Sequence, residues 1–247
     1  MAPAIETRGL TAEFRGRGGT VRALDALDLR VEQGQVFGFL GPNGAGKTTT
    51  MHILLGFVAA TAGEARLFDT DVRASIARQR IGYLPEHPDT YRFLTGRESL
   101  AMTGRLFGLR GAELRARIDS VLADAGIAEA AHRRIGAYSR GMMQRICLAQ
   151  ALINDPDLVI LDEPTGGLDP LGRRAIRAII ARLRERGKTV FFSSHELSEV
   201  ELVCDTIAIL NRGRIVAEGP AAELVPQGER LERFFMRTIG ADDGEAA

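Results

Sequence analysis

The chain lacks an excess of charge of either sign: its 247 residues hold 32 Lys+Arg against 32 Asp+Glu, a formal net charge of zero. Such a balance leaves no electrostatic footprint for a nucleic acid and no polybasic tether for a membrane surface. Cysteine is scarce too. Cys147 and Cys204 stand far apart with no CxxC spacing, and both read as reduced, buried thiols of a cytosolic protein. No apolar run approaches the roughly 18 residues that a membrane span needs. The opening "MAPAIETRGL" carries Glu6 and no apolar stretch of a secretory signal. Work at a membrane would therefore need a partner that spans it. Tandem repeats and low-complexity tracts are missing as well. What remains, 45% hydrophobic residues over 247 positions, suits one large α/β domain or two small ones with a full core.

The patterns that are present alternate between strands and helices. "AIETRGLTAEF" and "ALDLRVEQGQVFGFL" read as short strands around the Gly-rich turn "RGRGG", and "VFGFL" runs directly into "GPNGAGKTTTMHILLGF", a strand–loop–helix unit. "GEARLFD" and "RIGYLPE" are further short strands. From about Tyr91 to Ile153 apolar residues recur three and four apart, which predicts a helical block closed by Asn154-Asp155-Pro156. "DLVILDEP" and "TVFFSS" are continuous apolar runs of the kind buried on both faces of a parallel sheet. "RAIRAIIARLRERG" predicts a helix ending at Gly187, "ELSEVELVC" another, "TIAILNRGRIVAEG" a hairpin, and "LERFFMRTIG" a last helix. "ADDGEAA" reads as a disordered tail. The order predicts a parallel sheet flanked by helices and interrupted by a helical insertion, with the antiparallel N-terminus making the sheet mixed.

Chemistry concentrates at strand ends. Gly41 to Thr48, "GPNGAGKT", matches the phosphate loop G-x-x-x-x-G-K-[ST] in its required strand–loop–helix context. Its glycines let backbone N–H groups curl round phosphates, and a Cβ at Gly44 or Gly46 is expected to obstruct that approach. Lys47 would reach the β- and γ-phosphates, and Thr48 would offer its hydroxyl to Mg²⁺. Asp162 and Glu163 end "LVIL", where one carboxylate can hold a Mg²⁺ shell and the next can polarise a water. His195 follows another apolar strand and should emerge at the same sheet edge, where it can meet a γ-phosphate. A second helix start, in "YSRGMMQRICLAQAL", has Ser139 as its cap and Gly141 behind it, an anion site with no lysine of its own.

Taken together, "GPNGAGKTTT", "YSRGMMQR", "LVILDEPTGGLDP" and "SSHELSE" resemble the nucleotide-binding subunit of an ABC transporter. The likeness runs from "LTAEF" to the "VAEGP" hairpin. It implies a P-loop NTPase of α/β class: a RecA-like mixed or parallel sheet core, an N-terminal antiparallel β lobe and an inserted α-helical lobe. The corresponding boundaries are about 4–36 for the β lobe, 37–88 and 154–217 for the core, 89–153 for the helical lobe, 218–240 for C-terminal helices and 241–247 for the tail. By the same resemblance Phe14 would stack on adenine, where the family more often has Tyr. Gly41, Pro42, Asn43, Gly44, Ala45, Gly46, Lys47, Thr48 and Thr49 would hold the phosphates of ATP and its Mg²⁺. Glu163 would be the general base, Asp162 would support the metal, and His195 would contact the γ-phosphate. Ser139 and Gly141 would face phosphate bound by another chain, and Asp169 would communicate across that interface.

Two positions depart from the family pattern. Glu86, in "YLPEH", stands where the family has a glutamine that touches Mg²⁺ and the attacking water. A carboxylate only accepts hydrogen bonds, and it adds negative charge beside Glu163. The signature Leu-Ser-Gly-Gly-Gln appears as Tyr138-Ser139-Arg140-Gly141-Met142. Arg140 reads either as a solvated charge at the helix start or as a group that approaches phosphate or the partner subunit.

The resemblance therefore implies a Mg²⁺-dependent ATPase that pairs head to tail with a second nucleotide-binding subunit, as a homodimer, and drives a separate integral membrane permease from the cytoplasmic face. The permease is expected in the groove around Glu86 to Leu100. "YLPE", "YSRGM" and the "LERFF"-like helix resemble the subset that exports drugs, antibiotics, ions or lipids. The alternative is a soluble ABC ATPase of cofactor assembly or another non-transport role. DNA-repair members carry long coiled-coil insertions, and translation members usually carry two nucleotide-binding domains on one chain; neither feature is present. A regulator without turnover fits poorly with Glu163 and His195 both in place.

Overall fold

The computed structural model describes residues 2–16, 19–226 and 228–240. The expected tail 241–247 and part of the "RGRGG" turn lie outside them. The first strands are long: Ile5–Gly16 (β1) pairs antiparallel with Gly19–Val31 (β2). Val36–Leu40 (β3) then leads through the phosphate loop into Lys47–Leu54 (α1). Ala62–Leu67 (β4), Thr70–Asp71 (β5) and a 3-10 turn at Ser75–Arg80 precede Ile81–Leu84 (β6). The helical block comprises Gly96–Leu106 (α2), Gly111–Asp124 (α3) and Arg140–Ala151 (α4). After it come Leu158–Asp162 (β7), Pro170–Glu185 (α5), Thr189–Ser194 (β8) and Leu197–Val203 (α6). Thr206–Asn211 (β9), Arg214–Pro220 (β10), Ala221–Leu224 (α7) and Leu231–Thr238 (α8) complete the described chain.

The strands form two sheets, ordered β2-β1-β4-β5 and β10-β9-β3-β8-β7-β6. This corrects the expectation that the N-terminal strands make the main sheet mixed. They build a separate antiparallel sheet, which extends past residue 36 because β4 returns to pair with β1. The antiparallel member of the main sheet is instead β10, joined to β9 through Arg212 and Gly213. Both turn residues have positive φ, 48° and 80°, as a two-residue hairpin turn that follows the strand twist requires.

Every residue of β3, β7 and β8 is buried, the burden that parallel strands covered on both faces carry. Alternation divides their side chains between two cores. Phe37, Phe39, Leu158, Ile160 and Phe191 pack with α1 and the antiparallel sheet. Leu40, Val159, Leu161, Val190 and Phe192 face the helical block, α5 and α8. Gly38 in β3 is small because Cys204 Sγ occupies the space a Cβ would take, 2.7 Å away. Both thiols are free, and burial pushes that of Cys147 up to about 12 and that of Cys204 higher still, so both are unreactive packing groups. Helix α5 starts four residues before the "RAIRAII" pattern. Asp169 caps it, its Oδ1 accepting from the Gly172 N–H at 2.8 Å, and Pro170 occupies the first turn. No helix among the described residues is long and apolar enough to cross a membrane.

Candidate nucleotide site

Parallel strands all deliver their carboxyl ends to one edge of the sheet, and the loops that follow them share that edge. After β3 the chain turns through Gly41–Gly46 into α1. Gly44 and Gly46 adopt φ of 79° and 113°, in the region open to glycine. Within the chain the two glycines answer to different demands. A Cβ on Gly44 would meet nothing within 4 Å, so its backbone angle is what demands glycine. A Cβ on Gly46 would lie 2.6 Å from the Ala23 carbonyl oxygen and 2.7 Å from Leu24, so packing on β2 excludes it. The loop is further pinned by the β9–β10 turn, where Gly213 N–H donates to the Ala45 carbonyl at 2.9 Å.

Helix α1 has no side-chain cap, and its first-turn N–H groups face the loop with their share of the helix dipole. Lys47 is buried at this start and donates from Nζ to the Gly41 carbonyl at 2.6 Å and to that of Pro42 at 3.3 Å. Burial lowers its pKa below the ordinary lysine value, while Glu163, Asp162 and Glu86 pull the other way by favouring its charge.

The carboxylates at the end of β7 are fixed by a residue of the neighbouring strand that sequence reasoning missed. Ser193, fully buried in β8, donates its hydroxyl to Asp162 Oδ1 at 2.6 Å and accepts from the Glu163 N–H at 3.0 Å. Glu163 needs such a hold, because its φ of 49° is left-handed, a conformation costing a non-glycine residue about 1–3 kcal/mol. The strained backbone carries the Glu163 carboxylate to His195. The His195 N–H donates to Glu163 Oε2 at 3.3 Å, and its imidazole Nδ1 lies 2.8 Å from the same oxygen. The imidazole is largely exposed while the Glu163 side chain is 10% exposed.

Phe14, Ala23, Pro42 to Thr49, Glu86, Asp162, Glu163 and His195 line one cavity of about 360 Å³. Gly41 sits just behind it, holding Lys47. Residues from β1, β2 and the ends of β3, β6, β7 and β8 thus meet, an aromatic face at one part and converging N–H groups, an ammonium, carboxylates and an imidazole at another. Among the described residues no three His, Cys, Asp or Glu side chains gather to cage a metal. The Thr48 hydroxyl and the Asp162 carboxylate are nonetheless the hard oxygen donors that suit Mg²⁺, which binds few protein groups and fills its shell with water and substrate phosphates.

Ser139, Gly141 and Asp169 are elsewhere. They line a second cavity, of about 490 Å³, with Arg140, Gly167 and Leu171. The two cavities share no lining residue. Ser139 caps α4, its Oγ accepting from the Met142 N–H at 3.3 Å, and a Cβ built on Gly141 meets nothing within 4 Å. Arg140 is exposed at the start of α4. Its Nη2 donates to the Gly166 carbonyl of the same chain at 3.1 Å, and the guanidinium lies flat against Gly167. Gln144, also missed, reaches from α4 to the Pro164 carbonyl at 3.0 Å and ties the signature helix to the loop after Glu163.

A glycine loop between a central parallel strand and a helix, with acidic residues ending the next strand but one, defines a phosphate-loop nucleotide-binding fold. Residues 24–166 match the ABC transporter family, and the chain belongs to that family. It is similar to an ABC transporter ATP-binding protein of Synechocystis sp., 47% identical over 214 residues that cover 86% of this chain and 60% of the relative. The chain thus spans about three fifths of that relative's length. It is also similar to the fluoroquinolones export ATP-binding protein of Mycobacterium tuberculosis, at 40% identity over 239 residues, 96% of this chain and 77% of the other. Among solved structures, a bacterial ABC transporter cassette in its dimeric form superposes with a TM-score of 0.80 at 26% identity, covering 88% of this chain and 98% of that one.

Proposed function

We propose that the chain is an ATP-binding and ATP-hydrolysing subunit of an ABC transporter, working as one half of a head-to-tail pair. The observation that carries this reading is the division of its motifs between two cavities. One cavity gathers the phosphate loop, Asp162, Glu163 and His195, while Ser139 and Gly141 line another that has no lysine. A single chain therefore cannot bring both helix starts to one phosphate group, whereas two chains facing each other can. The related cassette that is dimeric supports the arrangement.

The chemistry follows from the placements. Phe14 offers its ring face to adenine, and the N–H groups of residues 43–48 with Lys47 hold the β- and γ-phosphates. Thr48 and Asp162, with Glu86 in the same cavity, would hold Mg²⁺, which would offset the charge of the phosphates. Glu163 takes a proton from the water that attacks the γ-phosphorus, while His195 steadies the transferred group. The bond from phosphorus to the β–γ bridging oxygen breaks, and ADP and phosphate leave. Ser139 and Gly141 of the facing chain close over the γ-phosphate, so bound ATP joins the two chains and hydrolysis releases them.

The pair would drive a separate membrane-spanning permease, seated in the groove beside Glu86 to Leu100, with export as the direction suggested by the "YLPE" and "YSRGM" segments and by the named export relative. The subunit would then lie on the cytoplasmic face of the membrane through that permease. Replacing Glu163 with Gln tests the core of the reading. Hydrolysis should fall by about 10²–10⁴-fold, while ATP and Mg²⁺ should convert the variant to a dimer in size-exclusion chromatography. A variant that keeps turnover, or stays monomeric under saturating ATP, would contradict it.

A further inference from the structure

The geometry points to Arg173 as a positioning residue for His195, one that ties the loop carrying Asp169 to the imidazole at the neighbouring strand end. The inference rests on the roles proposed for Glu163 and His195. Arg173 lies in the first turn of α5, and its guanidinium reaches two acceptors in different segments. Nε donates to the Leu168 carbonyl at 3.0 Å, and Nη1 pairs with Glu196 Oε2. Glu196 is the residue after His195, and its own N–H is held by Ser194 Oγ at 2.9 Å. His195 in turn bonds Glu163 through both its N–H and its imidazole. Two polar contacts therefore lead from Leu168 through Arg173 to Glu196, and the peptide bond from Glu196 to His195 and the His195–Glu163 contacts complete the path to the general base. The other end of the same loop is gripped by Arg140 at the Gly166 carbonyl. Segment 166–168 is thus held between the signature helix and, through Arg173, the Glu196 side chain beside His195.

Arginine suits this task because one rigid fork can donate in two directions at once, which a lysine ammonium on a flexible stem does poorly. A simpler role as a clamp between α5 and α6 is separable, because the structure contains a natural control one turn further along. Arg177 pairs with Glu199 at 2.7 Å across the same two helices, and that carboxylate is the more buried of the two, with side-chain exposure of 8% against 17% for Glu196. Arg177 touches neither the 166–169 loop nor the neighbour of His195. Glu199 Oε2 already lacks a partner, so losing Arg177 leaves a buried charge wholly uncompensated. If ion pairing between the helices were all that mattered, Arg177 would matter more than Arg173.

The test uses the full chain and measures ATP turnover, nucleotide affinity and thermal unfolding for Arg173→Ala, Arg173→Lys and Arg177→Ala. Both Arg173 variants should lose about tenfold to a hundredfold in kcat, the scale of a misplaced catalytic group, with KM for ATP little changed. Their unfolding midpoints should stay near wild type. Arg177→Ala should show the reverse, a lower midpoint with kcat within about twofold of wild type at a temperature where it is folded. If Arg173→Ala fails to fold, Arg173→Lys, which keeps the charge, gives the reading alone. Either Arg173 variant retaining wild-type kcat overturns the proposal, as does an equal loss of turnover in Arg177→Ala. A wild-type chain with no turnover overturns the functional reading and this proposal together, and so is distinct from a failure of the proposal alone.

Discussion

Helices α1 and α4 both begin at a cavity with unpaired N–H groups, yet the two starts are built differently. The start of α1 has no side-chain cap, two glycines with positive φ before it and a buried ammonium turned back onto the loop carbonyls. The start of α4 has a serine cap, an open glycine and an exposed arginine turned sideways to Gly166. The first is a complete anion site, with its charge desolvated where a phosphate would meet it. The second supplies N–H groups and a hydroxyl but directs Arg140 elsewhere. On the proposed head-to-tail pairing, a self-sufficient site and a complementary one would share a phosphate when two chains meet, which would account for both occurring on one chain.

The predictions probe that difference, beginning with the largest effect. Lys47→Ala should remove the charge-assisted bonds to phosphate and weaken ATP binding to the isolated chain by about 3–4 kcal/mol, several hundredfold, by calorimetry. Gly141→Glu should act on the other site. A Cβ at this position meets nothing within 4 Å among the described residues, and a carboxylate in the first turn favours its own helix. It should leave ATP binding by the monomer and the unfolding midpoint close to wild type, yet cut turnover about a hundredfold, by repelling the facing chain's phosphate. A parallel loss of binding would show that α4 serves its own chain's nucleotide after all. Within the phosphate loop, Gly46→Ala should cost about 2–4 kcal/mol in urea unfolding, because strain adds to a collision with β2. Gly44→Ala should cost only about 1–2 kcal/mol, from backbone angle alone.

Much of the main sheet and of the side chains at its carboxyl edge could be read from the sequence, because the signals are local. A continuous apolar run ending in Asp162-Glu163 or His195 announces both a buried strand and the side chain that leaves it. Glycines at fixed offsets before Lys47 announce the loop. What could not be read depended on partners distant in sequence. The pairing of β1 with β4 bridges residues such as Ile5 and Leu67, and no local pattern encodes it. The roles of Arg140 and Arg173 are invisible for the same reason: an arginine at a helix start looks solvated until its carbonyl acceptor is placed. Ser193 did leave a trace, as a hydroxyl inside the otherwise apolar "TVFFSS". A small polar residue buried in a central strand needs a partner, and here the partners are Asp162 and Glu163.

The shared site is tested most directly by mixing two defective chains. Lys47→Ala keeps a sound α4 start and Gly141→Glu keeps a sound phosphate loop. Only a mixed dimer can then assemble one intact site, from the loop of one and the signature helix of the other. The account predicts that each variant alone is nearly inactive, and that an equimolar mixture recovers ATP turnover to about a quarter of wild type, since half the dimers are mixed and each has one of two sites. A mixture no more active than the sum of its parts would contradict it.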